Sequence, residues 1–425
     1  MPLCSVIHYM RLNPHHPKPI ALQQGVTVLI PLGSQCFCYI CDMQLSVIIL
    51  NYNVRYFLEQ CVLSVEKAIA NLDAEIIVVD NNSSDDSCEM IRSRFPNVKL
   101  IANTANTGFP KGNNIGVAEA SGEFICILNP DTVVAEDTFD KVLAFAKAKI
   151  DIGIVGVKLI DGTGKFLPES KRGIPTPFVA ITKISGLYKI SKKLFGKYYA
   201  SHLSEDETGK VEILVGAFML LRREVYLEVG GFDENCFMYS DDIDLSYTIL
   251  KTGRSNYYFS QTTVIHYKGE STVKDEMYMK RFSEAMRFFY QKHFRLSRSF
   301  DICMKFGTAF FSAYKARQSG VTKPAAEKYI MLSDDRKLYE KVENLLGKKV
   351  ELLETTTENN LYSFLNGNRR TEVIFDSSQI SYQSIITMME KHRSDHTTYK
   401  IIPIGNNFMI GSNSSNDRGE IIHLI

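Results

Sequence analysis

Short apolar runs alternate with amphipathic segments between residues 43 and 150. Leu45–Leu50 and Glu75–Asp80 predict buried strands, because each contains consecutive branched aliphatic residues. Between these two runs, apolar residues recur at every fourth position, as one face of a helix requires: Phe57, Cys61, Val65 and Ile69. The strand–helix–strand order predicts a parallel sheet with helices on both faces. Ligands of such sheets bind beyond the carboxyl ends of the strands, so the residues that follow each strand are the candidates for function.

From residue 43 onward the sequence predicts three parts. The main α/β domain covers residues 43–295, with later strands expected at 213–221 and 257–265. Residues 296–324 predict a helical linker, and residues 325–425 predict a small α/β domain of unknown role.

Residues 1–42 differ from the rest of the chain. They hold four of the nine cysteines and five of the 13 prolines. The apolar stretch Val26–Ile40 is interrupted by Pro31 and Gly33, and no small-residue cleavage site follows, so it predicts neither a signal peptide nor a membrane span. We therefore expect Met43 to be the native start and residues 1–42 to be an extension outside the native protein.

Composition narrows the class of protein. Hydrophobic residues make up 45% of the 425 residues and charged residues 23%, which is ordinary for a globular protein and excludes a disordered chain. Lysine plus arginine number 49 and aspartate plus glutamate 48, so no charge excess indicates a nucleic-acid partner. Nine cysteines, an odd number in a long chain, argue against a disulfide framework and for a cytoplasmic location.

Three polar loops follow predicted strands. Asp80–Ser87 begins with a carboxylate that can accept a hydrogen bond from a pyrimidine or a ribose hydroxyl, although such loops also cap helices. The glycine- and asparagine-rich loop at 103–116 permits close backbone approach to a ligand, and its Lys111 can meet a phosphate. Asn129-Pro130-Asp131 either holds a divalent cation through its carboxylate or is an ordinary turn.

A cluster of carboxylates lies further along the chain. Asp241, Asp242 and Asp244 stand at the start of a predicted helix, where the helix dipole favours negative charge. One of them is a candidate general base that deprotonates an attacking alcohol. His266 lies at the end of a predicted strand. It becomes a candidate site residue only if it lies close to Asp131 in the folded chain.

Taken in order, these motifs resemble inverting family 2 glycosyltransferases of the GT-A fold, in particular the rhamnosyltransferase-like branch of bacterial surface-polysaccharide synthesis. The resemblance covers residues 44–295 and rests on the ordered set of motifs. The matching motifs are Ser46–Asn53, Val78–Asp85, Asn106–Phe109, Asn129–Asp131, Gly216–Met219, Gly230–Asp233 and Asp241–Leu245.

The resemblance implies a fold, substrates and a site. The fold is a Rossmann-like mixed sheet flanked by helices. The donor is a nucleotide-diphosphate sugar, and the acceptor is a saccharide or a polyprenyl-diphosphate-linked sugar. A divalent cation, Mg²⁺ or Mn²⁺, is implied at Asp131 and His266, and a catalytic base at Asp242. The residues implied to bind the nucleotide sugar are Asn51, Asp80, Asn82, Gly108, Lys111 and Asn129.

Two positions depart from the family pattern. Asn129 replaces the first aspartate of the metal-binding Asp-x-Asp motif. Asp241 stands where glutamate is usual in the pair with Asp242, which leaves open which of the two carboxylates is the base.

The segment at 170–199 is basic and aromatic. It holds seven lysines and arginines, Lys171 and Arg172 among them, and no aspartate or glutamate. Such a segment either binds an anionic membrane surface, which would bring the enzyme to the inner face of the cytoplasmic membrane, or packs its aromatic residues on the core. The 296–324 linker has the same two interpretations.

Two other functions stay open at this point. A non-catalytic sugar-nucleotide-binding module would retain the nucleotide loops without the base. A sugar nucleotidyltransferase normally needs a glycine-rich loop directly after its first strand, whereas Asn51-Tyr52-Asn53 contains no glycine.

Overall fold

The structure, a computed structural model, describes part of the chain. The described residues are 28–32, 35–39, 43–176, 199–268, 276–294, 325–354, 361–365, 369–413 and 419–424. The predicted linker at 296–324 and most of the basic segment lie outside them. Of the predicted N-terminal extension, two paired antiparallel strands are described, β1 (Val28–Leu32) and β2 (Gln35–Tyr39).

The first unit alternates strands and helices as the apolar pattern predicts. Its elements are, in chain order, β3 (Leu45–Asn51), α1 (Arg55–Ala68), β4 (Ala74–Asp80), α2 (Ser87–Arg94), β5 (Lys99–Ala102), α3 (Gly108–Ala118), β6 (Phe124–Leu128), β7 (Thr132–Val133), α4 (Thr138–Lys147), β8 (Ile152–Ile160), β9 (Gly209–Val211), β10 (Phe218–Arg222), α5 (Arg223–Glu228), α6 (Asp241–Lys251), β11 (Ser255–His266) and α7 (Glu276–His293).

Strands β3 to β11 form one mixed sheet. Within the described residues, its order is β5-β4-β3-β6-β10-β8-β11-β7, with β9 also paired to β11. Strands β5, β4, β3 and β6 are parallel, and β10 runs antiparallel between β6 and β8. Asn51 is directly opposite Asp80 in the β3–β4 register, so both residues reach the carboxyl edge together. The expected mixed α/β sheet with flanking helices is confirmed.

The strand predicted at 213–221 is shorter in the structure, because β10 begins only at Phe218. The residues before it turn toward helix α6 instead. Leu214 N donates to Ser246 Oγ at 3.3 Å, and Gly216 N donates to Asp242 Oδ2 at 3.1 Å. The N–H groups of Leu214 and Gly216 are therefore bonded to side chains of α6, and they are not free to pair with a neighbouring strand.

The C-terminal unit is a second α/β sheet, as predicted. Its order is β13-β12-β14-β15-β16-β17, parallel from β13 to β15 and antiparallel beyond. Its elements are β12 (Lys328–Leu332), α8 (Arg336–Leu346), β13 (Val350–Leu353), α9 (Leu361–Leu365), β14 (Thr371–Asp376), α10 (Tyr382–Lys391), β15 (Thr397–Ile402), β16 (Phe408–Gly411) and β17 (Glu420–His423).

One apolar core joins the two units. Polar contacts reinforce it, since the Glu136 carboxylate accepts hydrogen bonds from Tyr382 N and Gln383 N, each at 2.8 Å, at the start of α10. A carboxylate at a helix N-terminus satisfies free N–H groups and complements the helix dipole. The buried residues of this shared core include Phe57, Val133, Ile265 and Tyr267 from the first unit and Ile330, Val373, Phe375, Ile385 and Ile401 from the second.

Candidate active site

The carboxyl ends of β3 and β4 form a polar pair. Asn51 Nδ2 donates to Asp80 Oδ1 at 2.8 Å, and Ser83 N donates to Asp80 Oδ2 at 2.9 Å. Asn51 is fully buried, yet its Oδ1 has no hydrogen-bond partner among the described residues. A buried acceptor without a donor is costly, so this unsatisfied oxygen marks the end of β3 as an unusual position.

The glycine at the start of α3 lies against the loop that precedes α6. Gly108 has φ +82°, and a Cβ on it would come within 2.8 Å of the Phe237 ring and the Phe237 carbonyl oxygen. Phe109 N also donates to Phe237 O at 3.0 Å. A side chain at position 108 would therefore separate two loops that meet at the edge of the sheet.

Asp131 and His266 are brought together by strand pairing. In the β7–β11 register His266 lies opposite Thr132, and Tyr267 N donates to Asp131 O at 3.0 Å. His266 Nε2 is then 3.4 Å from Asp131 Oδ1 and 3.4 Å from Asn129 Nδ2. The buried His266 Nδ1 has no described partner.

Two carboxylates open helix α6, and an arginine pairs with the second. Arg172 Nη2 donates to Asp242 Oδ2 at 2.6 Å and to Leu214 O at 2.9 Å. Gly216 N donates to the same carboxylate oxygen. No described residue donates to Asp242 Oδ1. The carboxylate is thus held through one oxygen while the other remains available.

Asp241 has a different environment from Asp242. Burial, together with the neighbouring Asp242 carboxylate, raises the pKa of Asp241 to about 7. No described lysine, arginine or histidine forms an ion pair with it. Near neutral pH Asp241 can therefore hold a proton.

Residues 46–230 match the family model described as Glycosyl transferase family 2. The chain carries a family 2 glycosyltransferase domain. The N-acetylglucosaminyl-diphospho-decaprenol L-rhamnosyltransferase of Mycobacterium tuberculosis is 27% identical over 242 residues, 54% of this chain and 78% of that protein. Rhamnosyltransferase WbbL of Escherichia coli is 26% identical over 252 residues, 56% of this chain and 92% of that protein. The predicted sugar-transferring enzyme is confirmed, and these relatives lend no support to a binding module or a nucleotidyltransferase.

Solved glycosyltransferase structures also resemble the chain. The mannosyltransferase PcManGT of Pyrobaculum calidifontis, in complex with GDP-Man and Mn²⁺, aligns with a TM-score of 0.42 and 17% identity over 66% of this chain and 76% of that one. The S. aureus TarS fragment 1-349 aligns with a TM-score of 0.41 and 17% identity over the same shares.

The other predicted site residues of the transferase lie around this edge. Asn82 is exposed beside the Asn51–Asp80 pair and has φ +63°. Lys111 is exposed on α3, and no described group forms a hydrogen bond or ion pair with it. Among the described non-glycine residues with positive φ are Asn82, Tyr239 at +81° and Lys268 at +66°. Positive φ is strained in a residue such as Tyr239, and such strain is concentrated at functional sites.

Arg172 is a candidate functional residue that the sequence did not single out. The sequence predicts it only as part of the basic segment, and the structure shows that Lys171 and Arg172 are both buried. Lys171 Nζ donates to Leu203 O at 2.8 Å and to Ala200 O at 3.4 Å. No local signal reveals the Arg172–Asp242 pair, because its partners are 70 residues apart.

Of the helices that the structure describes, none combines the length and the apolar composition needed to span a bilayer.

Proposed function

We propose that this glycosyltransferase moves rhamnose or a similar hexose from a nucleotide-diphosphate donor to a hydroxyl of a saccharide or polyprenyl-diphosphate-linked acceptor, with inversion at the anomeric carbon. We further propose that it works at the inner face of the cytoplasmic membrane. The observation that carries the proposal is Asp242, held by Arg172 and Gly216 through Oδ2 with Oδ1 available. The names of the mycobacterial and E. coli relatives support rhamnose as the sugar, and the mycobacterial name supports a diphospho-polyprenol acceptor.

Asp242 acts as the general base in this proposal. The acceptor O–H bond breaks as its proton passes to Asp242 Oδ1, and the acceptor oxygen attacks the anomeric carbon. The bond from that carbon to the diphosphate breaks on the opposite face, so the electron pair leaves with the nucleoside diphosphate. Asp80 and Asn51, paired at the ends of β4 and β3, would form the side of the site that faces the nucleotide.

Asp131 and His266 fit a divalent cation. The two side chains converge to 3.4 Å, and a carboxylate with an imidazole is a donor set that Mn²⁺ accepts. Among the described residues, no group of three or more His, Cys, Asp or Glu side chains converges on a metal position. The remaining ligands would be phosphate oxygens and water, which is how Mg²⁺ is commonly held beside nucleotides. When bound, the cation would offset charge on the departing diphosphate.

Replacement of Asp242 tests the base. Asp242→Asn should lower sugar transfer by about 10²–10⁴-fold, the usual cost of losing a general base. Nucleotide binding should persist, because Asn51 and Asp80 lie on β3 and β4 and not on helix α6. Release of nucleoside diphosphate from UDP-, TDP-, GDP- and CDP-sugars, with lipid-linked and free saccharide acceptors, is the measurement. Near-normal turnover of the variant would refute the assignment.

Replacement of Asp131 tests the cation. The diphosphate that stabilises the wild-type protein with Mn²⁺, by about 2.7 kcal/mol at 100 times its Kd, should give a smaller thermal shift with Asp131→Asn. Without Mn²⁺ the variant and the wild type should shift alike. Asp140→Asn, an exposed aspartate on α4, is the matched control and should retain the Mn²⁺ effect. An unchanged Mn²⁺ effect in Asp131→Asn would exclude Asp131 as a ligand.

A further inference from the structure

We propose that Arg172 selects which carboxylate of the Asp241–Asp242 pair is ionised, so that Asp242 is the charged base and Asp241 keeps a proton as a positioning residue. This inference rests on the proposed function, and it resolves the choice between the two carboxylates that the sequence left open.

Backbone hydrogen bonds hold Arg172 in place independently of its side chain. Arg172 and Ile213 form an isolated antiparallel bridge in which each N–H donates to the other's carbonyl at 2.9 Å. The guanidinium is buried and also donates to Leu214 O. An arginine anchored by its backbone and by a second acceptor presents its charge to Asp242 at small entropic cost.

Arg172 forms an ion pair with Asp242 and, among the described residues, none with Asp241. Asp242 Oδ2 receives both the guanidinium and the Gly216 N–H, and two such donors stabilise the ionised form. Asp241 is only 7% exposed and forms no ion pair with a described residue. Two neighbouring carboxylates do not readily ionise together in a buried site, so the one without a cation retains the proton.

The other ionisable groups around the Asp241–Asp242 pair do not change which of the two carboxyl groups keeps the proton. Cys236, whose Sγ is 3.2 Å from Ser240 Oγ, has its pKa raised by burial and is neutral. From helix α7, Lys292 Nζ and His293 Nε2 lie 2.9 Å and 2.6 Å from Asp244 and are engaged there. Among the described residues, Arg172 is the cation that pairs with either member of the Asp241–Asp242 pair.

The reaction then needs one proton transfer at this pair. The proton leaves the acceptor hydroxyl and goes to Asp242 Oδ1, while the proton on Asp241 stays in place throughout. Asp242 returns its proton to solvent after the product leaves. Protonated Asp241 adds no second negative charge beside the base.

The test compares pH profiles of kcat/KM for the full chain. With Arg172→Gln the acid limb should move up by about one to three pH units, because loss of a paired cation raises a carboxyl pKa by that much. Arg172→Lys should fall between the variant and the wild type. Asp241→Asn should lower transfer at pH 7 by at most about tenfold, against the 10²–10⁴-fold loss expected for Asp242→Asn. An unmoved acid limb in Arg172→Gln, or equal losses in the two aspartate variants, would overturn the inference.

A second readout does not depend on turnover. Infrared spectra at pH 6 should contain the C=O band of a buried protonated carboxyl group that Asp241→Asn removes and the exposed-site control Asp140→Asn does not. Absence of that band would overturn the inference even if Arg172→Gln failed to fold. Near-normal transfer by Asp242→Asn would instead refute the proposed function, so the two failures are distinguishable.

Discussion

The two sheets of this protein carry similar aspartates at their carboxyl edges. In the first sheet, Asp80 ends β4 and accepts a hydrogen bond from Asn51 at the end of the neighbouring β3, at 2.8 Å. In the second, Asp376 ends β14 and accepts one from Ser333, just past the neighbouring β12, at 2.7 Å. Both are almost fully buried. As local motifs the two are nearly interchangeable.

The surroundings of the two edges differ. Beside Asp80, Tyr52 and Asn82 are exposed. Beyond Asp376, helices of the first unit reach over the edge of the second sheet. Lys67 Nζ donates to Ser377 O at 3.1 Å, and Arg94 Nη2 to Gly405 O at 3.5 Å. Open α/β sheets in general bind ligands at the carboxyl ends of their strands. Of the two edges, that of the first sheet is the less covered.

Strained backbone conformations also distinguish the first unit from the second. The described non-glycine residues with positive φ, Asn82 and Tyr239 among them, all belong to the first unit. The second sheet instead contributes to the shared core, which contains Val133 and Ile265, close in sequence to Asp131 and His266. The second sheet therefore packs against residues that neighbour Asp131 and His266 in sequence.

Two adjacent isoleucines on β15 face different cores. Ile401 belongs to the core shared with the first unit, and Ile402 to a separate core within the C-terminal unit. Both are buried, so Ile401→Ala and Ile402→Ala should each lower the free energy of unfolding by about 2–5 kcal/mol. Ile401→Ala should in addition weaken Mn²⁺-dependent nucleotide binding, measured by calorimetry, because the strands that carry Asp131 and His266 lose packing.

Ile402→Ala is the control for destabilisation alone. It removes the same atoms from the same strand but from the opposite face. If both variants weaken Mn²⁺-dependent binding equally, the support comes from the whole unit and not from the shared face. If neither does, packing of the second sheet has no influence on Asp131 and His266.

The sequence predicts the strand ends better than it predicts their surroundings. Asp80 and Asp131 could be found because each follows an apolar run, and the period of that run is a local property. Arg172 could not, because it reaches Asp242 through the bridge with Ile213 and through no local pattern. Equally, no local feature distinguishes Ile401 from Ile402 until the first unit packs against one face of the sheet.

The two edge aspartates give the finer test of the comparison. Asp80→Asn should raise the Kd of the nucleoside diphosphate by about tenfold or more, since a hydrogen bond to a charged group contributes about 1.5–3 kcal/mol. Asp376→Asn should leave that Kd unchanged and lower only the unfolding free energy, by about 1–3 kcal/mol, because Ser333 and the loop after β14 lose a charged acceptor. Calorimetric titration and chemical denaturation of both variants separate the effects. A Kd that rises equally in the two would mean that Asp80 acts only through the fold, and that the availability of an edge does not identify the nucleotide site.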